Sequence, residues 1–345
     1  MNPAWKTYLE SHSATFDGDL TIFNSNNNLP DCSLFDLSHL GLIKVEGEDS
    51  LDFMQGQFTN DVRDLENDLS QLSAVCSPKG RMLGLFRIVK QGDSYLLQMP
   101  PHIRDTLLKR LQMFVLRSKV TLADASDSVA RIGLAGNCAE DLMNELVGEA
   151  PTETDAVKHL NNISCIRLPG DTPRFQLLLP YEEAPAVWDQ LSQTAAAAST
   201  GLWKLMVVRA GEPTVYQETV EAFVPQMANM QLVNGVSFTK GCYTGQEVVA
   251  RMQYLGKLKR RMYRAEVSTS NAPQPGDEIF AAGSQSGQGA GRIVEVATVD
   301  GDRYELLVVM EIASRENNDV RLENSEGPLL TFLDLPYNFE QDNNN

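Results

Sequence analysis

Lys240-Gly241-Cys242-Tyr243-Thr244-Gly245-Gln246-Glu247 brings a thiol, a cation, two glycines and a helix start together in one short stretch. A cysteine reacts as its thiolate, a form favoured by a nearby cation or by the positive end of a helix. Lys240 precedes Cys242 by two residues. Thr244 and Glu247 have the Thr-x-x-Glu spacing of a capping box, and the apolar run Val248-Val249-Ala250 follows. The pattern predicts Thr244 as an N-cap, with the sulfur just ahead of the helix. Gly241 and Gly245 allow a sharp backbone turn or the close approach of a partner. The same residues also describe a buried cysteine beside a tight turn, the commoner fate of a free thiol.

Downstream, Arg251, Lys257, Lys259, Arg260, Arg261 and Arg264 form a basic stretch. Such a stretch is either a solvated face or a phosphate-binding stripe. The whole chain carries a net charge of −17, which disfavours nonspecific nucleic-acid binding over its surface but leaves a local patch open. Cys32, Cys76, Cys138, Cys165 and Cys242 are odd in number and scattered, and no Cys-x-x-Cys pair occurs. That argues against a disulfide framework and against a zinc or iron–sulfur site built within the chain. His12, His39, His102 and His159 do not cluster as metal ligands would. The N-terminus lacks the apolar run of a secretion signal, and no apolar segment reaches the length of a membrane span. Reduced thiols and no signal point to the cytoplasm, with no membrane partner.

The organisation is that of an α+β protein. Residues up to about 35 are polar and read as an entry segment and a loop around Asn24–Asn28. A strand at Leu42–Val45 precedes a helix through Leu51, Phe53 and Met54. Strands at Gly84–Val89 and Tyr95–Met99 flank Gln91-Gly92-Asp93 as a hairpin. His102–Lys119 has helical apolar spacing. A second α+β unit follows, with strands at Val129–Leu134, Ile163–Leu168 and Phe175–Leu179, and helices at Ala139–Val147 and Ala184–Ala198. Another helix begins at Trp203. Beyond Pro273-Gln274-Pro275-Gly276 the pattern becomes all-β, and Asp300-Gly301 marks a hairpin. Gly287-Gln288-Gly289-Ala290-Gly291 lacks the strand-before, helix-after context of a nucleotide loop.

Longer stretches carry a family resemblance. Phe223 to Gln231, Gly235 to Glu247, and Ala250-Arg251 strongly resemble the YgfZ-type folate-binding, tRNA-modifying proteins, within the wider fold family of the glycine-cleavage aminomethyltransferase. Gln55 to Val62, Lys79-Gly80-Arg81-Met82 and Leu335-Pro336-Tyr337 match in the same order. The resemblance implies a three-lobed fold. Residues 1–125 with about 201–265 would form a discontinuous folate-binding domain, 126–200 a second α+β domain, 266–338 a β-barrel-like domain and 339–345 a disordered tail. It implies a tetrahydrofolate near Trp203, whose flat ring suits stacking on a pterin. Arg209 would pair with the glutamate tail of folate or form a structural ion pair. The family tends to place an aromatic on the first strand, where this chain has Leu40. The acidic pair of the aminomethyltransferases falls at Leu83 and Gly84 here, which argues against conventional aminomethyl transfer.

Three functions follow as expectations. The leading one is a folate-binding accessory protein for iron–sulfur enzymes or their assembly factors, including enzymes that modify tRNA. In it Cys242 is the reactive thiol and Lys240 its activator; Tyr243 shapes the approach, and Gln246 and Glu247 fix the turn. The alternatives are a folate-dependent one-carbon transferase and a noncatalytic tRNA-binding module using Arg251–Arg264.

Overall fold

The computed structural model describes residues 1–23, 31–65, 68–282, 284, 289–316 and 319–339. The Asn24–Asn28 loop, Glu66, residues 285–288 of the glycine-rich stretch and the tail from 340 onward lie outside them. The described residues divide into two units, each assembled from separate chain segments: 1–50, 63–71 and 87–203, and then 51–62, 72–86 and 204–345.

The first unit is built on a six-stranded sheet in the order Val157–Leu160, Ile163–Leu168, Arg174–Pro180, Val129–Gly136, Cys32–Asp36, Ala196–Ala197. Trp5, Leu34, Ile132, Phe175, Leu177 and Trp188 fill its core. Helix Ala139–Val147 starts and ends where its apolar spacing predicts, and Gly148 closes it with a φ of 83°. The expected N-terminal loop is instead helix Pro3–Ser11 followed by a hairpin of Thr15–Asp17 and Leu20–Ile22. Asn2 caps that helix by accepting from the backbone N–H groups of Ala4 and Trp5, with Pro3 in its first turn. Trp5 anchors it, its indole N–H donating to the buried Asp36 carboxylate at 2.9 Å.

Two helices stop earlier than their composition suggests. The helix predicted to Lys119 is Pro101–Phe114, because Leu116 turns left-handed at φ 46°. The helix predicted to Ala198 ends at Leu191. Ala196-Ala197 then pairs in parallel with Ser33-Leu34, so sheet pairing overrides the helix propensity of alanine. The expectation that all thiols are free is also corrected. Strand Cys32–Asp36 runs antiparallel to Val129–Gly136 with Cys32 opposite Gly136. This places Cys32 beside Cys138, and the two form a disulfide with a Cα–Cα distance of 5.6 Å across 106 residues of sequence. The thiols are therefore not all reduced, and they do not point to the cytoplasm.

The second unit contains helix Ser50–Gln55 from Leu51 onward, strand Ser70–Cys76 from Leu72 onward, and the Met82–Phe86 part of strand Met82–Gln91. Its C-terminal part is the predicted all-β sheet, ordered Val320–Leu322, Glu278–Ala281, Gly291–Asp300, Arg303–Glu311, Arg260–Ser268, Thr331–Leu333. A register shift between Ile293 and Glu295 bends it around a core of Ala265, Ile279, Leu306, Val308 and Met310. The Asp300-Gly301 hairpin is present, with Gly301 at φ 48°. Phe339, expected in the tail, packs edge-on against Tyr263. Among the described residues, no helix is long and apolar enough to cross a membrane.

Candidate functional site

The stretches that carry the family resemblance converge on one loop of the second unit, residues 234–245, which carries Cys242. The segment Gln55–Val62 is its socket. Thr59 donates its hydroxyl to the Gly235 carbonyl at 2.9 Å, and the Ser237 N–H donates to the Thr59 carbonyl at 3.1 Å. The Asn60 side-chain amide donates to the Asn234 carbonyl. Lys240 plugs the socket: its ammonium donates to the carbonyls of Gln55, Phe58 and Asn60 at 2.9, 2.6 and 2.8 Å. An ammonium has three N–H donors, and three backbone carbonyls receive them.

Lys79-Gly80-Arg81-Met82 holds the other end of the loop. Gly245 adopts φ 85°, and a Cβ there would lie 2.4 Å from the Ser77 carbonyl oxygen and 3.0 Å from Gly80 Cα. Gly80, at φ 69°, leaves room for Val248 on the following helix. Only glycine meets both demands, a left-handed backbone and contact with another main chain. Arg81 donates to the carbonyls of Glu221 and Ala222, and the Met82 N–H to Phe223. Tyr337 donates to the Gly211 carbonyl and receives the Asn229 amide, which ties Leu335-Pro336-Tyr337 to the same framework.

Helix Gln246–Tyr254 follows with Gly245, not Thr244, as its N-cap and with no side-chain cap bond. The expected capping box is therefore absent, because the left-handed turn at Gly245 sets the start one residue later. Glu247 lies in the first turn, where its charge complements the helix dipole, and Gln246 donates its N–H to the Tyr243 carbonyl. Arg251 is exposed in the last turn.

Cys242 is exposed, whereas the free Cys76 and Cys165 are buried and their thiols are pushed up to about 12 by burial. A Cβ at Gly241 would meet nothing within 4 Å, so the approach to Cys242 from that side is open. Lys240, expected to activate Cys242, is placed in a different setting. The lysine is 5% exposed and its donors are committed to main-chain carbonyls, while Cys242 faces solvent. Tyr243 is also turned inward. It is buried beneath the Lys240 ammonium, 5.1 Å from its ring centroid, and burial and the neighbouring Cys76 raise its hydroxyl pKa.

The residues expected to hold folate are arranged otherwise. Trp203 is 2% exposed; Phe35 packs against it at 5.3 Å, and the Arg174 guanidinium covers it at 5.1 Å. Gly133 is glycine because a Cβ would come within 2.6 Å of that indole. Leu40 lies in the turn before strand Gly41–Glu46, not on a strand. Arg209 forms an ion pair with Glu305, donating from Nε and Nη2 at 3.1 and 2.7 Å, and Arg264 takes the other carboxylate oxygen. These three positions do not fit the ring and tail they were expected to hold. Leu83 and Gly84 lie on strand Met82–Gln91, which carries no carboxylate. Among the described residues, no group of three or more His, Cys, Asp or Glu side chains is arranged to hold a metal.

The basic stretch divides in two. Arg260 pairs with Glu311 at 3.6 Å, Arg264 with Glu305 at 2.8 Å, and Arg261 covers the Phe339 ring. Arg251, Lys257 and Lys259 are exposed. Sequence reasoning missed Glu311, which strand register sets opposite Arg260, and Glu305, which it sets diagonal to Arg264.

The fold is aminomethyltransferase-like. It superposes on the glycine cleavage system aminomethyltransferase T of Bartonella henselae with a TM-score of 0.63 and 14% identity, covering 89% of this chain and 86% of that one. Residues 25–167 match the GCVT N-terminal domain family. A tRNA-modifying protein YgfZ from Colwellia psychrerythraea is 34% identical over 68% of this chain and 72% of its own length. One from Pectobacterium carotovorum is 28% identical over 88% of this chain and 91% of its own. The chain belongs to the YgfZ family.

Proposed function

We propose that this protein supports tRNA modification as an accessory to iron–sulfur enzymes, presenting Cys242 as an exposed reactive thiol on a braced loop. The observation that carries the reading is the contrast between a solvent-facing sulfur and the rigid bed beneath it. Cys242 is exposed, while Lys240 and Gly245 on either side are fixed to the main chain at Gln55–Asn60 and Ser77–Gly80. Rigid support of one exposed reactive group is what a functional site needs and what a surface cysteine otherwise lacks. Family membership supports tRNA modification, since the curated relatives bear that name.

Tetrahydrofolate enters only through the family, because Trp203, Leu40 and Arg209 do not fit it; no chemical step is assigned to it. The strand without carboxylates at the Leu83-Gly84 position supports an accessory role over aminomethyl transfer.

The test measures methylthio-modified tRNA in cells lacking the protein and rescued with wild type, Cys242→Ser or Cys242→Ala at matched abundance. Rescue by wild type alone is expected. Equal rescue by all three would return Cys242 to a structural role, and rescue by none would remove the tRNA reading.

A further inference from the structure

Helix Pro101–Phe114 of the first unit turns Ile103, Leu107 and Leu111 into the core at helical spacing. Past that buried face the apolar side chains come out into solvent. Met113 is 75% exposed, Phe114 38% and Leu116 88%. The Arg110 guanidinium lies over the Phe114 ring at 5.3 Å. Three large apolar side chains within four residues form a contiguous exposed group, which single surface hydrophobics do not.

Leu116 adds a second, independent observation. Its φ of 46° is left-handed, where a bulky side chain crowds its own backbone. All other non-glycine residues at positive φ among the described residues are Ser, Asp, Asn or Glu. Core packing does not repay the strain, because the side chain faces solvent. The turn that holds it is braced on both sides. The Gln112 amide donates to the Leu122 carbonyl at 3.0 Å, the Ser118 N–H to the Val115 carbonyl at 2.8 Å and the Lys119 N–H to the Asp49 carboxylate at 2.7 Å. An apolar knob on a strained, braced turn serves neither the turn nor the core, and strain of this kind gathers at functional surfaces.

The charges around it select the occupant. Lys109 and Arg117 are exposed and make no ion pair among the described residues, whereas Lys119 is paired with Glu48. This apolar group is therefore rimmed by free cations in a chain of net charge −17. Its complement is an apolar groove bordered by carboxylates. An anionic bilayer would repel the rest of so acidic a chain, and a nucleic acid offers no groove for aliphatic Met and Leu side chains. A folded protein can meet the tip alone, and Met, Phe and Arg are enriched where proteins meet.

We infer that Met113, Phe114 and Leu116 form a docking tip for another protein, one that presents an apolar groove rimmed by Asp and Glu. Leu116 is the central anchor, and Lys109 and Arg117 face the acidic rim. The surface does not depend on the Cys242 reading.

The test places a photoreactive side chain in the full chain in living cells, as Met113→p-benzoylphenylalanine, with Leu160→p-benzoylphenylalanine at another exposed apolar position as the control. Irradiation is expected to give one adduct with a second protein from position 113 and not from 160. The crosslinked peptide should map to an apolar segment flanked by acidic residues. Adding Leu116→Asn should remove the adduct, and the purified partner should bind the Leu116→Asn chain about tenfold or more weakly, the loss of one buried leucine side chain. Arg117→Glu should slow association and flatten its salt dependence. Asparagine accepts a left-handed backbone, so Leu116→Asn should also raise the melting temperature by about 2–4 °C. A lowered melting temperature would give Leu116 a structural post and overturn the inference. So would an adduct with a second copy of this chain, with lipid or with RNA, the same adduct from both positions, or no adduct.

Discussion

Replacing Lys240 by methionine separates its two readings, clamp and activator. The substitution keeps the unbranched side chain but for its terminal nitrogen and removes three donated hydrogen bonds. The Phe58 carbonyl is the buried one, and leaving it unpaired costs about 1–3 kcal/mol. The carbonyls of Gln55 and Asn60 are partly buried and regain some water, adding about 0.5–1 kcal/mol each. Removing a desolvated ammonium offsets about 1 kcal/mol of this. The net expectation is a loss of about 1–4 kcal/mol, or roughly 2–16 °C in the melting temperature for a unit of this size. The assay pairs thermal unfolding with the rate at which iodoacetamide labels Cys242 well below the melting temperature. A lowered melting temperature with an undiminished labelling rate supports the clamp. An unchanged melting temperature with labelling slowed about tenfold, the effect of losing an activating cation, would refute it.

Three further outcomes are expected. Gly245→Ala should destabilise the protein by about 2–4 kcal/mol in urea titration, because its Cβ would meet the Ser77 carbonyl at a positive φ, whereas Gly241→Ala, with open space around it, should stay within about 1 kcal/mol; equal effects would reject the close-approach argument. Glu305→Gln should cost about 2–3 kcal/mol by stranding Arg264, and Arg209→Ala about 1 kcal/mol or less because Arg209 is half exposed; the reverse order in urea midpoints would assign Arg209 another role. The buried thiols of Cys76 and Cys165 have folded values raised to about 12, so the stability they contribute is present below the ordinary thiol range and lost as pH rises from there towards the folded value. Cys165→Ala should flatten the decline in unfolding free energy across the alkaline range, and parallel curves would contradict the burial argument.

Helix Ala139–Val147 and the Asp300-Gly301 hairpin were legible because their signals are local: apolar spacing at helical period and a glycine at the turn. The Ala195–Ala198 run was not, because its partner strand lies more than a hundred residues away and alanine alone favours helix. Cys32 and Cys138 looked unrelated for the same reason, until antiparallel pairing set them side by side. At the site, the motif residues lie together in one unit, but distance along the chain does not tell which groups each of them meets. Lys240 is near Cys242 in sequence, yet it serves the carbonyls of Gln55, Phe58 and Asn60, about 180 residues earlier.

The sequence by itself determined the helices and strands with strong local periodicity, that an all-β segment closes the chain, and that the thiol, the glycine turn and the basic run lie close along it. Tertiary structure alone decided where each polar group finds its partner. An ammonium, a guanidinium or an indole N–H is bound by whichever acceptors folding leaves uncovered. Those acceptors come from distant segments, so Lys240, Arg209 and Trp203 took structural posts while Cys242 stayed in solvent.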